Sequence, residues 1–71
     1  MSKERFIILT KLFINDELKD ARVLNIYFDS FEKAEGYFFD SEYIKVDDDS
    51  YEYHKDDEIY KSEIIKVFEI N

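Results

Sequence analysis

Asp47, Asp49 and Glu58 stand at positions 1, 3 and 12 of a twelve-residue span, the ligand spacing of a calcium-binding loop. Carboxylates so placed could converge on a hard cation. The span departs from that pattern at two positions. Glu52 stands where the turn-forming glycine belongs, and Tyr51 replaces an oxygen ligand at the fifth place. It therefore reads as solvated turns, and no metal site is expected. His54, the single histidine, has Asp56 and Asp57 close by in sequence, a pairing that could serve as a general base. It has no nucleophile to serve: the chain has no Cys, and no Ser lies in a nucleophile-elbow context. A single glycine, Gly36, rules out a glycine-rich phosphate loop. With 18 acidic residues in 71, carboxylate pairs arise at any spacing, so such pairs single out no catalytic site. The expectation is a protein without catalytic residues or cofactor.

The distribution of charge is more informative. Residues 29–58 hold twelve carboxylates against Lys33, Lys45 and Lys55, a net −9. Residues 1–28 sum to +1 and residues 59–71 to zero. A domain with such a region attracts basic partners and repels nucleic acid and anionic membranes. Direct nucleic-acid binding would need clustered Lys and Arg, and here they are scattered and outnumbered.

Hydrophobic periodicity supplies the elements that would carry this charge. Residues 5–14 read as a strand, with Phe6, Ile8, Leu12 and Ile14 on one face and Ile7, Leu9 and Phe13 on the other. Apolar side chains on both faces imply a doubly covered strand or a face used for association. A polar turn over 15–20 and a second strand over 22–28 suggest an antiparallel hairpin. Asp29 and Glu32 have capping-box spacing, so a helix is expected over 29–39 with Phe31, Ala34 and Phe38 as its apolar stripe. Gly36 inside it implies either close packing on a strand or a nearby helix end. Strands follow over 42–46, 51–55 and 59–70, separated by turns at 47–50 and 56–58. The last segment also fits a helical stripe, and its β-branched residues decide for strand. The fold class is α+β: a small antiparallel sheet with one helix packed on it, order β-β-α-β-β-β.

Seventy-one residues make a single domain, 1–71, with a thin margin of stability. Thirteen Phe and Tyr residues offset the small size. Their abundance, with that of Ile and Val, argues against disorder. The first residues hold only four consecutive apolar side chains before Thr10, too few for a signal-peptide core or a membrane span. The expected location is the cytoplasm.

The segments Tyr51-Glu52-Tyr53-His54-Lys55 and Glu63-Ile64-Ile65-Lys66 resemble two stretches of a short phage family of uracil-DNA glycosylase inhibitors. More broadly, the chain is similar in size, acidity and lack of cysteine to phage-encoded inhibitors of host nucleic-acid enzymes, anti-CRISPR and anti-restriction proteins among them. In the glycosylase-inhibitor family the helix lies between the two stretches. Here seven residues separate them and the expected helix precedes both, so no functional residue is carried over. The resemblance implies an anti-defence protein that imitates nucleic acid.

These readings converge on a non-enzymatic binding protein whose acidic surface occupies a basic nucleic-acid-binding site on a partner. Asp40, Glu42, Asp47, Asp48, Asp49, Glu52, Asp56, Asp57 and Glu58 would supply charge; Tyr43, Tyr51 and Tyr53 would supply contact area. The alternative is a generic structural or interaction module, homodimeric through a strand edge or the second apolar face, whose acidity serves solubility alone.

Overall fold

A computed structural model describes the backbone of residues 2–70 and the side chains of residues 3–68. The element order is β1 (Ser2–Ile14), β2 (Glu17–Val23), α1 (Phe31–Phe39), β3 (Ile44–Asp47), β4 (Ser50–Lys55) and β5 (Glu58–Ile70). The strands form one antiparallel sheet in the order β2-β1-β5-β4-β3. The order β-β-α-β-β-β and the α+β class follow the sequence reading.

The two longest strands, β1 and β5, pair along their whole length at the centre, with Ile8 opposite Ile64 and Thr10 opposite Ser62. The segment 59–70 is thus strand, as its β-branched residues indicate. β2 and β3 form the two edges. The chain between them must cross the sheet, and α1 makes that crossing over one face. Ile8, Ala34, Phe38, Tyr51 and Ile64 are the buried apolar core among the described residues. Phe6, Leu24, Phe28, Phe31 and Tyr43 pack around it.

Several boundaries differ from the sequence reading. The turn after β1 is Asn15-Asp16 alone, and the second strand is Glu17–Val23 rather than 22–28. Both turn residues have positive φ, 52° and 66°. Asn and Asp tolerate that left-handed backbone, so two residues suffice to reverse the chain. Residues 24–28 then run irregularly beside β1. They are tied there by Leu24 N–H to the Ile8 carbonyl and by a reciprocal pair between Phe6 and Phe28, each bond 2.9 Å. The third strand begins at Ile44 and extends through Asp47, which leaves Asp48-Asp49 as the tip of its hairpin.

The helix cap also moves by one residue. Ser30, not Asp29, is the N-cap: its backbone is extended and its Oγ accepts from the Lys33 amide at 3.2 Å. The Asp29 carboxylate instead meets Arg5 at 3.1 Å and Lys33 at 3.7 Å. Ala34 and Phe38 of the expected stripe are buried and Phe31 is half-buried. Gly36 makes no close approach: a methyl group there would meet nothing within 4 Å.

Gly36→Ala should therefore raise stability by about 0.5–1 kcal/mol, through lower backbone entropy in the unfolded chain. An unchanged or lower urea midpoint would contradict this geometry. Phe38→Ala removes the ring stacked on Tyr51 at 4.1 Å. A truncation of that kind costs about 3–5 kcal/mol, comparable to the whole stability of so small a core. The variant should be largely unfolded at 25 °C by circular dichroism.

Candidate partner-binding surface

The sheet order converts a sequence pattern into a spatial one. Residues 40–58 hold nine carboxylates against Lys45 and Lys55, a net −7. In the fold they comprise the helix C-cap, the loop to β3, the β3–β4 hairpin and the β4–β5 turn with the first residue of β5. The part up to Lys55, net −4, forms one edge of the sheet, and the last three acids lie at the end of its neighbouring strands. The opposite edge is balanced, because Glu17 pairs with Lys19 at 2.8 Å and Asp20 with Arg22 at 2.6 Å.

Within the acidic edge the carboxylates form two groups. Asp47, Asp48 and Asp49 lie around the hairpin tip beside the middle of β5, where Ser50 pairs with Glu63. Asp56, Asp57 and Glu58 lie at the other end of β4. Six residues of strand separate them, roughly 20 Å at 3.3 Å per residue. Asp47 and Glu58 therefore do not converge, and residues 47–58 are a strand between two turns rather than a cation loop. Asp40 caps the helix C-terminus, and Glu42 accepts a hydrogen bond from Tyr53. Glu52 lies on the face of the sheet away from the helix, 2.9 Å from His54 Nε2. His54 thus meets Glu52 rather than Asp56 or Asp57.

The tyrosines divide. Tyr51 was expected to supply contact area, and here the structure corrects the sequence. It is only 4 % exposed, stacked under Phe38 in the core. Tyr43 and Tyr53 remain half-buried, and with Tyr60 they make a row on the helix side of the sheet, with centroids 5.6 and 5.7 Å apart. Tyr60 was not singled out in the sequence. Its place follows from the register that sets it opposite Tyr53. Tyr43 and Tyr60, with Leu12, Tyr37 and, from β2, Asp20 and Arg22, line a depression of about 360 Å³ on the helix side of the sheet.

A polar clamp ties this edge to the helix. Tyr51 donates its hydroxyl proton to Glu35 Oε2 at 3.0 Å, and Lys45 Nζ donates to the same oxygen at 2.8 Å. Lys45 and Tyr51 lie opposite each other on β3 and β4. Hydrogen bonds from Lys45 and then Tyr51 lower the Glu35 pKa, and the Glu35 contact raises that of Lys45. Burial first, then Glu35, raises the Tyr51 phenol. Hydrogen bonds to Glu42 and Glu58 raise Tyr53 and Tyr60 in the same way. Tyr60 donates to Glu58 at 2.6 Å.

No family model matches the chain, and neither a curated protein nor a solved structure matches it significantly. No helix among the described residues is long and apolar enough to cross a membrane.

The clamp gives a pH dependence of definite sign. Glu35 ionises more readily in the folded chain than in the unfolded one. Its contribution is complete above the ordinary carboxylate pKa and is lost as pH falls through the lowered folded value. Urea midpoints measured across that acid range should fall for the wild type and fall less for Glu35→Gln. Parallel curves for the two proteins would rule out the clamp as a source of the acid sensitivity.

Proposed function

We propose that this protein is a non-enzymatic inhibitor that inserts its acidic β3–β4 edge into a basic, nucleic-acid-binding groove of a partner protein. The observation that carries the reading is the gathering of a net −7 on the β3–β4 side of the sheet and the β4–β5 turn, while strand β2 at the opposite edge is balanced. A groove lined with Lys and Arg for phosphates would accept carboxylates in their place. The two acidic groups, roughly 20 Å apart along β4, span about six phosphate steps of one DNA strand at 3.4 Å each. Tyr43 and Tyr53 flank the acidic edge and supply half-buried aromatic area, the residue type that anchors protein interfaces. Proteins with this mode of action suit a phage or mobile element countering a host nuclease or repair enzyme.

The test is capture from host lysate on immobilised protein, with and without excess duplex DNA. The reading expects a captured basic protein that DNA displaces and that salt releases, as screening of exposed charge requires. Capture indifferent to both would refute it. The informative variant replaces Asp47, Asp48 and Asp49 by Asn. Asp47 accepts the Asp48 amide at 2.8 Å and Asp49 accepts the Ser50 hydroxyl at 3.2 Å. An Asn side-chain oxygen can accept the same bonds, so the fold should persist while affinity falls by at least about tenfold, or 1.4 kcal/mol.

A further inference from the structure

The helix covers one face of the sheet and leaves the other open. Strand alternation and the β1–β5 register place Ile7, Leu9 and Phe13 of β1 on the open face with Ile59, Ile65 and Val67 of β5. Val23 at one edge and Ile44 at the other extend this surface, 53 % and 67 % exposed. The charges on it differ from those of the chain as a whole. Lys11 and Lys61 balance Glu52 and Glu63, Arg5 is held by Asp29, and Asp47 lies at the rim, in a protein of net −8. Lys61 reaches across to the Phe13 ring, its Nζ 5.0 Å from the centroid.

We infer that this open face is the interface of a homodimer in which two sheets pack face to face across β1 and β5. Three observations favour a second copy over other occupants. The molecule measures 44 × 23 × 18 Å, so its broad face offers on the order of the 800 Å² per partner that a stable interface hides. The core lies on one side of the sheet only, and oligomerisation is the usual remedy in chains of this size. The mixed charges are self-complementary. Lys61 and Glu63 are successive open-face positions on the central strand, and a two-fold axis crossing the strands between them sets each Lys61 over Glu63 of the other copy. A basic partner would be opposed by Lys11 and Lys61, and an anionic membrane by the field of the acidic edge. The two surfaces meet at Asp47 and Glu52, while Asp48, Asp49, Asp56 and Asp57 belong to the turns at the two ends of β4.

The experiment is sedimentation of the full chain over a range of concentrations, with circular dichroism as the check on folding. The expected result is a concentration-dependent dimer that persists in high salt, unlike binding through the acidic edge. Ile65→Asp and Leu9→Asp should each raise the dissociation constant at least about 100-fold while the helix-side core stays folded. Lys61→Glu alone should weaken the dimer about tenfold or more, and Lys61→Glu with Glu63→Lys should restore it. A wild type that stays monomeric at every concentration overturns the inference, as does a dimer indifferent to Ile65→Asp and Leu9→Asp. Should either aspartate variant fail to fold, the Lys61 and Glu63 exchange decides: a dimer constant unmoved by Lys61→Glu also overturns it. Binding of anionic vesicles or of another protein by this face, with no self-association, counts against it equally.

Discussion

The pairing of the first strand with the last holds the structure together. β1 and β5 join along thirteen residues of each, and Ile8 opposite Ile64 is both the middle of that ladder and the centre of the core. Closing the chain over so many intervening residues costs entropy before any contact is made, although the cost grows only with the logarithm of length. The local hairpins β1–β2 and β4–β5 reduce it, since each forms across two turn residues and presents a ready edge to the other. The shared ladder then completes the sheet. Thr10 and Ser62 hydrogen-bond across it at 3.0 Å, so the one buried polar side chain of the described core, Ser62, is satisfied.

Central pairing of the termini determines the rest. The middle of the chain has to supply both edges and the crossing between them. That crossing is α1, and it can cover only one face. The same topology segregates charge. The acidic stretch belongs to the middle of the sequence, so a fold that buries its two ends together pushes the acids to one side. In a fold that covered β3 and the turns at the ends of β4, the same residues would have had to pair with cations or remain protonated. Here one carboxylate of the stretch, Glu35, is drawn into a clamp with Lys45 and Tyr51, and that clamp fixes the edge to the helix.

Much of this architecture was legible in the sequence. Strand and helix order followed from a switch between two-residue and 3.6-residue periodicity, and the stripe of Phe31, Ala34 and Phe38 named the packed face of the helix. What escaped was conformational or tertiary. Asn15 and Asp16 turn the chain in two residues because both adopt positive φ, which composition alone presents as a longer polar loop. Ser30 takes the cap because Arg5, distant in sequence, draws the Asp29 side chain away. Alternation placed Tyr51 and Tyr53 on one face of a strand. It could not say that the helix ends over Tyr51 and leaves Tyr53 beside the edge, so one became core and the other surface. The turns at the two ends of β4 were read from composition, but their place on one side of the sheet needed the strand order.

Solubility and edge protection explain some of the acidity but not its placement. An edge strand is guarded by charge on the strand itself. β3 carries exposed Ile44 and Val46, while its Lys45 is held by Glu35 and its acid, Asp47, bonds into the turn. The carboxylates concentrate instead in the loop before β3 and at the two turns. Turn formation accounts for Asp47 and Asp49, whose side chains bond within the hairpin, and for Asp56, whose φ is positive. It asks nothing of Asp48, Asp57 or Glu42. A uniform coat would also have spread over the open face, where cations and carboxylates nearly cancel. A protein that is neutral on its broad apolar face and strongly anionic along one edge has two surfaces of different chemistry. The first suits an apolar partner with mixed charges, the second a cationic one.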